Sequence, residues 1–164
     1  GHSLGTLKLA ASGYKFFALI GLNSFNNFLG NNKEIFQQRT RELIFLQKSL
    51  ERFPEKPLKD FYQRGGIKEF YNLCDFSQLN TKTLQQDLIF LKKPQIFPKI
   101  PTLILNSLDD PIVPVQLTED NFSPLPHLQL EYITGCRHNL GFEKAKEIKK
   151  KIIDFLDALH HRSH

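Results

Sequence analysis

The first five residues, Gly-His-Ser-Leu-Gly, fit the pattern Gly-x-Ser-x-Gly. Glycines on both sides of Ser3 permit a sharp backbone reversal that exposes the serine hydroxyl at the amino end of a following helix. At that position the helix dipole favours a developing oxyanion. The same five residues also fit a helix that is merely capped by Ser3, so the rest of the chain must supply the partners of a nucleophilic serine.

A pair of aspartates follows a continuous apolar run, in the segment SLDDPIVP at 107–114. Open parallel sheets place functional groups at the carboxyl ends of their strands, which is where this pair is expected to lie. We predict that Asp110 is the functional carboxylate and that Asp109 serves the turn. The alternative is that Asp110 only closes an Asp-Pro turn with its own backbone.

One histidine, His138, lies in a loop after the next apolar run, in the segment GCRHNLGF. A neutral imidazole between Ser3 and Asp110 could take the serine proton, while the carboxylate fixes its tautomer and stabilises the imidazolium. We expect His2 to be a structural neighbour of the serine turn. No comparable setting surrounds the remaining histidines, which are His127, His160, His161 and His164.

Hydrophobic periodicity predicts the elements that position these residues. Continuous apolar runs predict strands buried on both faces, and period-3.6 patterns predict helices. The predicted strands are 16–22, 101–107 and 128–134. The predicted helices are 4–13, 32–53, 57–64, 67–74, 81–93, 114–122 and 142–161, with Asn80 or Thr81 capping the fifth and Pro114 in the first position of the sixth.

This order predicts an α/β protein with a parallel sheet, right-handed crossovers and a helical insertion. The expected domains are a core of residues 1–30 and 95–164 and a lid of residues 31–94. A three-stranded sheet would leave an edge unpaired beside the serine turn. We therefore expect amino-terminal strands to be missing from this chain and to be supplied by another segment or chain, which agrees with the absence of any methionine.

The motifs GHSLG, LILNSLDDPIVP and GCRHNLGF together resemble the three catalytic motifs of the α/β-hydrolase superfamily, in the order Ser, Asp, His. The resemblance implies a serine hydrolase in which Ser3, Asp110 and His138 form the triad and the Leu4 amide is one oxyanion donor. In that fold a second donor comes from a loop after the third strand, which this chain lacks. We therefore predict that the chain alone is weakly active or inactive.

Within that superfamily the chain is similar to the pimeloyl-acyl-carrier-protein methyl ester esterases of the biotin pathway, around LQQDLIFLKK and IPTLIL. This similarity implies a carboxylesterase acting on a small-molecule or carrier-bound acyl ester. Phe61 and Phe90 are candidates to line an acyl pocket, although both also fit plain helix packing. Basic lid residues could contact an acidic acyl carrier protein, and the candidates are Lys56, Lys59, Arg64, Lys92 and Lys93.

Other reactions on the same scaffold stay open, namely those of a thioesterase, lipase, peptidase or C–C bond hydrolase, because a fold does not fix its substrate. A non-catalytic interaction fragment is the alternative from a different class. The incomplete sheet motivates it.

Composition excludes several other classes. The net charge of +5 comes largely from lysines on one presumed surface helix, which argues against a nucleic-acid partner. No apolar run approaches the ~20 residues of a membrane span. Cys74 and Cys136 match no metal spacing or CxxC motif and favour a reducing, cytoplasmic compartment. We expect no metal and no organic cofactor.

Overall fold

A computed structural model describes residues 1–67, 74–123, 125 and 128–161. Within them lie three strands, β1 (Leu19–Leu22), β2 (Thr102–Ser107) and β3 (Leu128–Ile133). The helices are α1 (Leu4–Ala11), α2 (Lys33–Arg52), α3 (Glu55–Arg64), α4 (Thr81–Phe90), α5 (Val115–Phe122), α6 (Leu140–Glu143) and α7 (Ala145–His161), with a short 3₁₀ helix at Phe76–Gln78.

The strands form one parallel sheet in the order β1-β2-β3. Its register pairs Leu19 with Thr102 and Thr102 with Leu128. All six residues of the central strand β2 are buried, as expected for a strand covered on both faces. Most of the helical insertion lies between β1 and β2, so the predicted α/β order is confirmed.

Residues 1–3 continue the sheet on the free side of β1. The Gly1 nitrogen donates to the Ile20 carbonyl at 2.8 Å, and the Ser3 amide donates to the Leu22 carbonyl at 2.9 Å. A parallel bridge between His2 and Leu22 completes this short ladder. The segment that leads into Ser3 is therefore held at the carboxyl end of β1.

The first predicted strand, 16–22, is too long. Residues 16–18 lie outside β1, and Phe17 is 70% exposed. The physical reason is the neighbouring strand: Leu19 donates to the Pro101 carbonyl, and proline has no amide hydrogen to continue the ladder backwards.

Several helix ends also differ from the predictions. The first helix stops at Ala11 rather than Gly13, and Ala11 is exposed. Pro114 is extended and precedes α5 as its cap residue instead of occupying the first turn. The last helix is broken at Lys144 into α6 and α7.

The described helices between β1 and β2 agree with the prediction in type and differ at some ends: α3 begins at Glu55 rather than at residue 57. The third of them, α4, ends at Phe90 rather than at residue 93. The Asn80 side chain accepts a hydrogen bond from the Thr83 amide at 3.0 Å, which confirms Asn80 as its cap. The predicted helix at 67–74 lies mostly outside the described residues.

Apolar side chains pack on both faces of the sheet. On one side α7 buries Ile148 and Phe155 against Leu103 and Leu105 of β2, with Ile152 and Leu159 half-buried beside them as the helical period predicts. Each fully buried side chain of this kind contributes about 1.5–3 kcal/mol.

A second cluster joins the inserted helices to the core. Leu43 and Leu50 of α2 and Leu88 of α4 share it with Leu7 of α1 and Leu117 of α5. Because α1 directly follows Ser3, the insertion is packed against the element that carries the serine turn. None of the described helices is long and apolar enough to cross a bilayer.

Candidate active site

Ser3 lies in a tight turn between the short ladder and α1. Its backbone has φ 49° and ψ −126°, which is unusual for a residue with a side chain. Such a conformation costs on the order of 1–3 kcal/mol and persists only where its surroundings enforce it. Here the Ser3 amide is held by Leu22, while the Ser3 carbonyl accepts the Thr6 amide at 3.0 Å.

The first glycine of the motif is required by close packing. A Cβ on Gly1 would lie 2.7 Å from the backbone of Thr6, which is closer than Cβ atoms approach other atoms in proteins. The backbone therefore reverses tightly enough to place Leu4 in the first helical position. Leu4 is the first residue of α1, and amides of the first helical turn have no partner within the helix.

Asp110 and His138 form a buried pair. His138 Nδ1 lies 2.7 Å from Asp110 Oδ2, and their side chains are 1% and 0% exposed. The carboxylate can only accept, so Nδ1 carries the hydrogen and donates it. Two residues that are 28 positions apart, on the loops after β2 and β3, are thus brought together at the carboxyl edge of the sheet.

The other carboxylate oxygen of Asp110 holds the turn. Asp110 Oδ1 accepts the amides of Ile112 at 2.7 Å and Val113 at 3.1 Å. Asp110 therefore takes the turn role that was expected of Asp109. Asp109 Oδ2 instead accepts the Gly135 amide at 2.8 Å and ties the two loops together.

The second ring nitrogen of His138, Nε2, faces away from Asp110. With the hydrogen on Nδ1, Nε2 keeps its lone pair, and this atom is buried without a hydrogen-bond partner in the described part of the chain. Among those residues, no hydrogen bond joins Ser3 Oγ to it. The structure thus pairs Asp110 with His138. Ser3 directly follows His2, whose ring also contacts the His138 ring.

His2 contacts His138 directly. Its Nε2 donates to the His138 carbonyl at 2.7 Å, and the two ring centroids are 4.7 Å apart. Partial burial lowers the pKa of His2 below its usual 6.5, and the neighbouring His138 lowers it further.

The carboxyl end of α3 lies against the same imidazole. The Phe61 ring meets the His138 ring edge-on with centroids 5.8 Å apart. A Cβ on the buried Gly65 would lie 3.6 Å from the His138 Cβ. Arg64 Nη2 donates to the Pro111 carbonyl at 3.0 Å, next to Asp110. The end of α3 therefore lies against both loops that carry the pair.

The two predicted pocket residues differ in position. Phe61 borders the imidazole and is 36% exposed, so one part of its ring is available to a ligand. Phe90 packs on the cluster of Leu7, Leu43 and Leu88 instead. Its position fits the alternative of plain helix packing.

The basic residues proposed for carrier binding differ in their contacts and exposure. Arg64 is bonded to the Pro111 carbonyl, and Lys59 lies 3.6 Å from Glu55 and 5.8 Å from the Phe76 ring centroid. Lys56, Lys92 and Lys93 are exposed. Among the described residues no cluster of three His, Cys, Asp or Glu side chains could hold a metal ion.

The sequence did not reveal how His2 and Asn23 contact the His138 backbone. Both bonds cross more than a hundred residues. The signal that could have indicated them is the polar pair Asn23-Ser24 directly after an apolar strand, where a buried amide needs partners.

No protein-family model matches this chain, and no curated protein matches it. Solved structures do. An esterase from Exiguobacterium antarcticum superposes with a TM-score of 0.75 at 14% identity, covering 96% of this chain and 65% of that one. A bromoperoxidase from Bacillus anthracis gives 0.72 at 18% identity, covering 96% and 66%. An enol-lactonase from Burkholderia xenovorans gives 0.68 at 13%, covering 96% and 64%.

The chain therefore has the α/β-hydrolase fold, as the sequence motifs predict. It spans about 65% of the length of the solved structures it matches. These three neighbours are an esterase, a bromoperoxidase and an enol-lactonase, so the shared fold leaves the reaction open.

Proposed function

We propose that this chain is the carboxyl-terminal part of a serine carboxylesterase with Ser3 as nucleophile, His138 as general base and Asp110 as its carboxylate partner. The observation that carries the proposal is the buried Asp110–His138 hydrogen bond of 2.7 Å, which in a neutral imidazole leaves the lone pair on Nε2, an atom with no hydrogen-bond partner among the described residues. Esterases among the solved structures of similar fold support the same class of reaction.

In the proposed reaction Ser3 Oγ attacks the ester carbonyl while its proton moves to His138 Nε2. Asp110 stabilises the imidazolium, and the Leu4 amide donates to the oxyanion of the tetrahedral intermediate. Collapse of the intermediate breaks the ester C–O bond, and the proton returns from Nε2 to the leaving alcohol. Water then attacks the acyl-enzyme through the same base and releases the acid.

The closing of the Ser3–His138 hydrogen bond belongs to substrate binding in this proposal. Catalytic hydrogen bonds are often long or misaligned without substrate and tighten in the Michaelis complex. A second oxyanion donor, which this fold draws from the loop after its third strand, is proposed to come from polypeptide outside these 164 residues. Losing one such donor costs on the order of 10²- to 10³-fold in kcat, so the chain alone should be weakly active.

For the substrate, we propose a short acyl methyl ester, in line with the resemblance to pimeloyl-acyl-carrier-protein methyl ester esterases. Phe61 offers an apolar wall beside the imidazole. An acidic carrier protein would meet the exposed Lys56, Lys92 and Lys93. We propose a cytoplasmic location, because Cys74 and Cys136 match no metal spacing or CxxC motif.

The test uses the whole protein that contains this chain. We expect a fluorophosphonate probe to label Ser3 stoichiometrically and Ser3→Ala to lower kcat for p-nitrophenyl butyrate at least about 10³-fold. Ser12→Ala, which removes an exposed serine just after α1, is the matched control and should keep wild-type activity.

Full activity in Ser3→Ala would refute the proposal. Absence of labelling in the wild type would favour the non-catalytic alternative. A panel of acyl methyl esters and the corresponding thioesters, free and carrier-bound, then separates a carboxylesterase from a thioesterase.

A further inference from the structure

Asn23 lies at the end of β1 and is completely buried. Its Nδ2 donates to the carbonyls of Arg137 at 3.0 Å and His138 at 2.8 Å. Its Oδ1 accepts the Ser107 amide at 2.7 Å. One side chain therefore joins the ends of β1 and β2 to the loop that carries the imidazole.

The backbone at Asn23 fits this use. Its φ of 43° lies in the left-handed region, which asparagine tolerates better than most residues. Its own amide donates to the Leu105 carbonyl at 2.9 Å, so the unusual conformation is held from both the backbone and the side chain.

The His138 carbonyl receives a second hydrogen bond, from His2 Nε2 at 2.7 Å. Asn23 thus fixes the His138 backbone from the sheet, and His2 fixes it from the serine turn. Asp110 fixes the ring itself. Backbone and ring together determine where Nε2 points relative to Ser3.

We propose that Asn23, together with His2, is a positioning residue: both donate hydrogen bonds to the His138 carbonyl and fix the loop from which Nε2 reaches the Ser3 hydroxyl when substrate binds. This inference rests on the proposed function. A misplacement of a catalytic group by about 1 Å costs about 10²-fold in rate, so loss of the hydrogen bonds that fix the His138 backbone lowers kcat. It leaves KM unchanged, because Asn23 is buried and does not touch the substrate.

Asn106 provides a matched control. It is also completely buried, and its Oδ1 accepts the Ser24 amide at 2.8 Å. Its Nδ2 donates to the Ser24 carbonyl at 2.9 Å and the Thr118 hydroxyl at 2.8 Å. Each of the two asparagines therefore donates two hydrogen bonds and accepts one, and of the two only Asn23 bonds to the His138 loop.

The experiment compares Asn23→Gly with Asn106→Gly in the whole protein, since glycine also accepts the positive φ at residue 23. Fluorophosphonate labelling counts the active sites, and kcat is expressed per labelled serine. We expect Asn23→Gly to lower this kcat about 10- to 100-fold with KM unchanged, and Asn106→Gly to retain it within about twofold. A merely structural role would lower the number of labelled sites in both variants and leave kcat per site intact.

Equal kcat per labelled serine in the two variants would overturn the inference. A wild type that is not labelled would instead overturn the proposed function. Asn23→Asp, which keeps the acceptor for Ser107 and removes both donors, replaces Asn23→Gly if the latter does not fold. If neither variant folds, His2→Phe removes the second hydrogen bond to the His138 carbonyl at a partly exposed residue. An unchanged kcat per labelled serine in that variant would then overturn the inference.

Discussion

Replacing Asp110 by asparagine separates the catalytic and structural uses of this side chain. The amide oxygen can still accept the amides of Ile112 and Val113, so the turn after β2 is kept. The amide nitrogen now faces His138 Nδ1 and donates to it, which moves the ring hydrogen to Nε2. In that tautomer the imidazole cannot take the proton of Ser3.

The expected loss follows from the tautomer. An equivalent change in a Ser-His-Asp enzyme lowers kcat about 10⁴-fold. Four factors of ten correspond to about 5.4 kcal/mol of transition-state stabilisation. The free energy of unfolding should change little, because both turn hydrogen bonds remain.

Asp110→Ala gives the contrast. It leaves the buried amides of Ile112 and Val113 without an acceptor, which costs about 1–3 kcal/mol for each group. We therefore expect this variant to lose roughly 2–6 kcal/mol of stability in addition to its activity.

The assay measures kcat for p-nitrophenyl butyrate and the midpoint of urea unfolding for both variants in the whole protein. We expect Asp110→Asn to be inactive with a wild-type midpoint and Asp110→Ala to be inactive with a lowered midpoint. Asp110→Asn that folds normally and keeps more than a tenth of wild-type kcat would refute the assigned role of Asp110.

Two further predictions concern the segment that leads into α2 and the pH dependence of stability. Asp120 accepts the amides of Asn31 and Asn32 just before α2, so Asp120→Ala should speed hydrogen exchange of the amides around residues 30–35 and leave those of β2 unchanged. Equal exchange rates at residues 30–35 in the wild type and the variant would contradict this prediction. The Lys151 ammonium, 2.6 Å from Glu131, lowers the pKa of that carboxyl below its usual 4.5. The pair's contribution is thus present above about pH 4.5 and is lost as the pH falls through the lowered pKa, so Glu131→Gln should lower stability by at most about 1 kcal/mol at pH 7 and by nothing at pH 2, measured by urea unfolding. An equal loss at both pH values would show that packing, not charge, is responsible.

Part of the fold was predictable because its signals are local. The run PTLILNS has the consecutive apolar residues Leu103, Ile104 and Leu105 at its centre, and Thr102–Ser107 forms β2, which is buried along its whole length. The period of Ile148, Ile152 and Phe155 matches the face that α7 packs on the sheet. By contrast, the run from residue 16 gave a strand three residues too long, because its start depends on where β2 begins to pair.

The candidate site was predictable only as a set of residue types. A serine between glycines, an aspartate after a buried strand and a histidine before the last helix follow from spacing and turn chemistry. The separate uses of the two Asp110 oxygens, and the exchange of the turn role with Asp109, depend on how two loops approach each other. No local pattern encodes that approach.

The amino-acid sequence by itself determined the order of strands and helices, and with it the edge of the sheet where Ser3, Asp110 and His138 belong. Periodicity and turn propensities act over a few residues, and the printed order carries them. Only the tertiary structure decided that Asn23 and His2 both donate hydrogen bonds to the His138 carbonyl, and that Phe61, rather than Phe90, borders the His138 ring. Hydrogen bonds and ring contacts between residues more than seventy positions apart depend on strand register and helix packing, which no single segment specifies.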